Sequence, residues 1–125
     1  RRAVFDVSVT PAEDNLELKE AGVWLDGSEV FRTACSSCTD QSTALRLINE
    51  NAPTILNPGE HTLGVKITGF AATGATACVI CSYEFSHVRV TILDSSGTTV
   101  QIINLPNRER APDPGESTDW SFTVN

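Results

Sequence analysis

The chain has 125 residues, 40% of them hydrophobic, a formal charge of −7, four cysteines and no methionine. A length of this order forms one domain with a real core, and the acidic balance excludes a phosphate-binding surface, which needs clustered lysine and arginine. Nucleic acid and anionic membrane are therefore poor partners, and no apolar run approaches the ~20 residues of a membrane-spanning helix.

From the N-terminus, residues 3–10 alternate Phe5, Val7 and Val9 against Asp6, Ser8 and Thr10, the period-two pattern of a half-buried strand. Pro11 removes a ladder donor and stops it. Leu16 and Leu18 predict a second short strand. Asp26-Gly27 between Val23-Trp24-Leu25 and Val30-Phe31 predicts a hairpin, because both central residues of a type I′ turn need positive φ. Residues 33–43 are small and polar and read as a loop pinned by cysteines. Residues 44–49 fit a short helix capped by Ser42, or a strand carrying Leu45 and Leu47.

Pro58-Gly59-Glu60 launches a strand over 61–68 with Leu63, Val65 and Ile67 inward. A Gly/Ala/Thr loop over 69–77 leads to Cys78. From Val79 to Leu93 the chain is β-rich, but its apolar parity changes, and a β-bulge near Ser86-His87 restores one face. Asp94-Ser95-Ser96-Gly97 turns the chain into a strand over 98–105, expected to bury Val100 and Ile102. Residues 106–115, with three prolines, read as an exposed connector, and Trp120, Phe122 and Val124 mark the last strand.

Seven to eight short strands and almost no helix predict an all-β fold, a two-sheet antiparallel sandwich forming a single domain over 1–125. Leu56-Asn57-Pro58-Gly59-Glu60-His61-Thr62-Leu63, Asp94-Ser95-Ser96-Gly97 before Val100, and Trp120-Ser121-Phe122-Thr123-Val124 resemble immunoglobulin-like modules of microbial surface and extracellular proteins. The resemblance implies an immunoglobulin-like sandwich. The single-cysteine, tryptophan, single-cysteine spacing of true immunoglobulin domains is absent, so it carries over no inter-sheet disulfide.

The cysteines form two Cys-x-x-Cys tetrads, Cys35-Ser36-Ser37-Cys38 and Cys78-Val79-Ile80-Cys81. Three chemistries fit them. A disulfide linking one tetrad to the other closes a loop of about 40 residues, worth ~3–4 kcal/mol in the loop-entropy model. A four-cysteine zinc site fits the count and spacing, but no glycine adjoins either pair and Val79-Ile80 reads as strand. Thiol redox catalysis needs a lowered thiol pKa, and neither pair precedes a clear helix. Cys35, Cys38, Cys78 and Cys81 are accordingly expected to staple the 33–43 loop to the start of the 78–82 strand. Zinc at the four cysteines is the alternative, redox catalysis the remote one, and no other cofactor is expected.

His61 and His87 fall at a strand mouth and at the bulge, and read as strand-end residues more readily than as a shared metal site. Trp24 and Trp120 are expected in the core. No serine lies in a Gly-x-Ser-x-Gly motif. The acidic groups Asp113, Glu116 and Asp119 show no calcium-loop pattern.

The opening Arg1-Arg2-Ala3 without a methionine reads as a processed form or a fragment, and a removed leader implies export. Cysteines in a small acidic domain suit an oxidising compartment. The expectation is a non-catalytic, extracellular or cell-surface protein in a structural or adhesive role. Copies of it are expected to pair through edge strands 3–10 and 117–124 into a fibre or coat.

Overall fold

A computed structural model describes residues 1–12, 16–38, 43–72, 82–110 and 116–125. Strands account for most of them and no helix occurs among them: β1 (Arg2–Pro11), β2 (Leu16–Leu25), β3 (Ser28–Cys38), β4 (Leu45–Ile48), β5 (Thr54–Ile55), β6 (Gly59–Ala72), β7 (Tyr83–Leu93), β8 (Thr99–Asn104), β9 (Arg108–Arg110) and β10 (Ser117–Val124). All pairings are antiparallel. One sheet runs β4-β1-β7-β8, with β5 extending β4 along β1 and β9 extending β8 along β7. The other runs β10-β6-β2-β3. The ten strands thus fill four positions in each sheet. Apart from the β2–β3 and β7–β8 hairpins, neighbouring strands are joined by chain that passes through other strands.

The inner faces meet in one apolar cluster. Phe5, Val7 and Val9 of β1 and Phe85, Val90 and Ile92 of β7 supply one side; Val23, Leu63, Val65, Trp120 and Phe122 supply the other. Rings interlock across the gap, Phe5 against Phe122 with centroids 6.2 Å apart and Phe85 against Trp120 at 6.0 Å, both edge-to-face. The Trp120 Nε1–H donates to the Pro106 carbonyl at 2.8 Å, so this buried ring satisfies its only donor.

Asp26 (φ 50°) and Gly27 (φ 84°) both take positive φ between Leu25 and Ser28, as the two-residue hairpin requires. The expected bulge is present in β7. Asp6 pairs with Arg89 and Ser8 with Ser86, so His87 and Val88 together face Val7, and His87 adopts φ 52°.

Four expectations are corrected. The 33–38 stretch is strand, not loop, because it pairs with β2. Part of the 106–115 connector is β9, paired with the start of β7. Val100 and Ile102 face outward, 47% and 55% exposed. The ladder shifts between Ile92 and Leu93, which sets Gln101 opposite Ile92. Its side chain turns toward β10, donating to Thr123 O and accepting from Asn125 N–H, while Ile103 and Leu105 pack on the core instead.

The fourth correction concerns β1, which is no edge. The ambiguous 44–49 stretch forms β4, burying Leu45 and Leu47, and its Arg46 grips Asp6 of β1 through two hydrogen bonds of 3.0 and 2.7 Å. In the interruption between β4 and β5, the Asn49 amide bonds to β1 in place of a strand backbone. The expectation for 117–124 holds, since β10 lies at the end of its sheet.

Candidate functional site

Cys35 and Cys38 are bonded to each other. In β2–β3, Ala34 pairs with Glu20 and Cys38 with Leu18, so Cys35, Ser36 and Ser37 together oppose Lys19 alone. An extended strand carries residues three apart to about 10 Å, whereas the two cysteine Cα atoms are 5.8 Å apart. The disulfide therefore closes a bulge in an edge strand. Cys38 is buried beside Leu18 and Cys35 is half-buried. The expected staple between the tetrads is corrected to this extent: neither sulfur of the first tetrad is available to the second. Cys78 and Cys81 lie outside the described residues. Disulfide-bonded sulfurs present no thiolate, so in this oxidised form Cys35 and Cys38 offer nothing to a zinc ion. No group of three or more His, Cys, Asp or Glu side chains suited to a metal occurs among the described residues.

Each sheet has two edges, and they differ in how readily another strand could add. β4 and β5 are short, with four and two residues. β3 is kinked by its disulfide bulge and carries Arg32 and Glu29, which pair with each other. β10 has its last outward backbone groups taken by Gln101. Those are the devices that discourage edge-to-edge pairing. β8 has a register shift against β7 at Val100 but no charged side chain or proline. Thr99-Val100-Gln101-Ile102-Ile103-Asn104 is uncharged, lacks proline, pairs with β7 alone among the described residues, and exposes Val100 and Ile102.

No family model, curated protein or solved structure matches this chain.

The aromatic and histidine expectations divide. Trp120 is in the core, 1% exposed. Trp24 is on the outer face of the second sheet, half-buried, and its adjacency to inward Val23 was the signal, since neighbours in a strand point opposite ways. Its ring edge lies over Gly22, where an added Cβ would sit 2.7 Å from Cζ3. Lys66 Nζ and the Arg32 guanidinium carbon lie 4.5 and 5.8 Å from its centroid. Arg32 also reaches Glu20 at 3.3 Å, and Glu20 accepts from Thr68 at 2.7 Å. That hydrogen bond from Thr68, opposed by burial and aided by Arg32, holds the Glu20 carboxyl below its ordinary pKa. The ring is held in a surface network of charged side chains.

His61 and His87 do not meet. His61 stacks on Phe122 and hydrogen-bonds Asp26 at one end of the second sheet. His87 is exposed on the outer face of the first sheet, in a cleft with Ser8, Arg89 and Asn104.

Proposed function

We propose that this chain is a non-catalytic extracellular structural or adhesive protein whose copies associate through an edge strand, as the repeating unit of a surface fibre or coat. The observation that carries this reading is β8, an edge strand without charge or proline that exposes two β-branched aliphatics. Of the two edges expected from the sequence, β1 is internal and β10 is partly bridged, so the proposed pairing strand moves to β8. Two copies placing β8 against β8 antiparallel would continue the first sheet across both molecules and set Val100 and Ile102 beside their counterparts; that pair is closed by its two-fold axis, so a fibre or coat takes a second contact between such pairs as well. The Cys35–Cys38 disulfide supports an oxidising compartment.

Within the sandwich class the chain reads as an immunoglobulin-like module. Two antiparallel sheets over one core and the closing Trp-Ser-Phe-Thr-Val strand support this, although each sheet is four positions wide against the four-plus-three of an immunoglobulin constant domain.

Sedimentation over a concentration series tests the proposal. A charge of −7 opposes association at long range, so the assembled fraction should rise as salt screens it, over a Debye length of about 8 Å at physiological ionic strength. Ile102→Lys, at an outward position the fold tolerates, should abolish assembly. A chain that stays monomeric at high concentration and high salt, or an Ile102→Lys variant that assembles like the parent, refutes it.

A further inference from the structure

Two irregularities coincide on the outer face of the first sheet. The β7 bulge holds His87 at φ 52° in a central strand. Beside it the neighbouring edge is broken, because Leu105–Asn107 separates β8 from β9 and Leu105 N–H donates to the Val88 carbonyl of the bulge at 2.9 Å. An open cleft of about 530 Å³ lies there, within the ~300–1,000 Å³ of small-molecule sites. A non-glycine residue at positive φ persists only where its surroundings hold it, and such residues gather at ligand sites.

The two arginines of the cleft are differently committed. Arg46 is engaged by both oxygens of Asp6. Arg89 gives only its Nε–H, to Asn104 Oδ1 at 3.2 Å, and no carboxylate pairs with it among the described residues. Its terminal nitrogens are a fork shaped for a carboxylate. His87, exposed and without a hydrogen bond among the described residues, stands beside it as a second polar contact. Asn104, Asn107 and Ser8 bring amide and hydroxyl groups that both donate and accept, as a polyhydroxylated ligand needs. Among the described residues no Phe, Tyr or Trp lines the cleft, and His87 brings its one ring. The Asp6 carboxylate and the acidic chain disfavour multiply charged anions.

We infer that this cleft binds a hydroxylated carboxylate, the uronic-acid class of sugar, with Arg89 holding the carboxylate and the two asparagines reading hydroxyls. The inference stands apart from edge-strand assembly, since the cleft is complete within one copy.

The test is a titration of the isotopically labelled full chain with sodium glucuronate, glucose and sodium acetate at fixed pH and ionic strength, followed by NMR. Glucuronate should shift the signals of Arg89, Asn104, Asn107 and His87, glucose should shift none, and acetate should bind more weakly. Arg89→Gln should lower glucuronate affinity by about tenfold or more, the size of one charge-assisted bidentate contact, with the spectrum elsewhere unchanged. Asn107→Ala should weaken glucuronate and leave acetate as it was. Absence of localised shifts at the highest soluble glucuronate, parental binding by Arg89→Gln, equal affinity for acetate, or a response to an acidic peptide in place of glucuronate each overturns the inference.

Discussion

His61 Nδ1 lies 2.7 Å from the Asp26 carboxylate, while its Nε2 lies 2.7 Å from the Asn57 carbonyl oxygen. Both neighbours are acceptors, so both ring nitrogens donate only when the imidazole is protonated. Asp26 also accepts from Thr62 N–H at 2.8 Å, and the His61 ring stacks on Phe122. The pair fastens the β2–β3 hairpin to the start of β6.

The hydrogen bond to Asp26 raises the His61 pKa, against burial and with help from the Asn57 carbonyl. Burial raises that of Asp26, but hydrogen bonds from His61 and Thr62 outweigh it and leave the carboxyl below its ordinary value. The His61 contribution to stability is therefore complete below the unfolded imidazole value of about 6.5 and is lost as pH rises through the higher folded value. The Asp26 contribution is present above about pH 3.9 and is lost as pH falls through its lowered folded value. The thermal midpoint should fall across neutral to mildly alkaline pH, and His61→Gln should flatten that slope. Parallel slopes for parent and variant count against the fastening role.

Asn49 is expected to be the most sensitive polar residue. Asn49 is 7% exposed; its Oδ1 accepts from Phe5 N–H at 2.7 Å, and its Nδ2 donates to Ala3 O at 3.2 Å and to the part-buried Thr54 Oγ1 at 3.0 Å. Replacing it strands β1 backbone groups in the interior, so Asn49→Leu should cost about 2–4 kcal/mol although it fills the same space. Denaturant unfolding measures this. A loss comparable to a surface substitution means that the amide is not what joins β4 and β5 to β1.

Gly22→Ala should move the Trp24 ring, since the new Cβ would lie 2.7 Å from Cζ3 and 3.2 Å from Arg32 Cγ. A loss of about 1–3 kcal/mol and a change in tryptophan emission are expected. Trp120 is fully packed and serves as the constant background. In a Trp24→Ala chain the same change should be nearly neutral, and equal cost in both backgrounds rejects the ring contact as the cause.

Alkylation followed by mass measurement resolves the cysteines. Without reductant, Cys35 and Cys38 should stay unlabelled, and peptide mapping should find them linked to each other. The ring they close has four residues, worth about 2 kcal/mol in the loop-entropy model, against the ~3–4 kcal/mol of a 40-residue loop. Cys35→Ser with Cys38→Ser should cost about that smaller amount. Retained zinc, with four thiols appearing on chelation, would establish the metal alternative.

The local features were readable because each depends on a few consecutive residues. Phe5/Val7/Val9, Leu63/Val65/Ile67 and Trp120/Phe122/Val124 alternate with the pleat, and all nine are buried. Asp26-Gly27 turns the hairpin, and the parity break at His87 marks the bulge. Alternation states which residues share a face but does not name the face that meets the other sheet. Val100 and Ile102 were misplaced for that reason. The disulfide was legible as chemistry and illegible as connectivity, since four cysteines allow three pairings.

The amino-acid sequence by itself determined an all-β chain, its principal turns, most of its core and an acidic surface, because strand period, turn φ and composition act within a few residues. Tertiary structure alone decided which strands are edges, that Cys35 meets Cys38 inside a bulge, and that His87 and Arg89 share a cleft with Asn107. Those relations depend on how separate strands pair, including whether Cys35 meets the cysteine three residues on or one of the second tetrad, and they are set by strand register and by the packing of one sheet on the other.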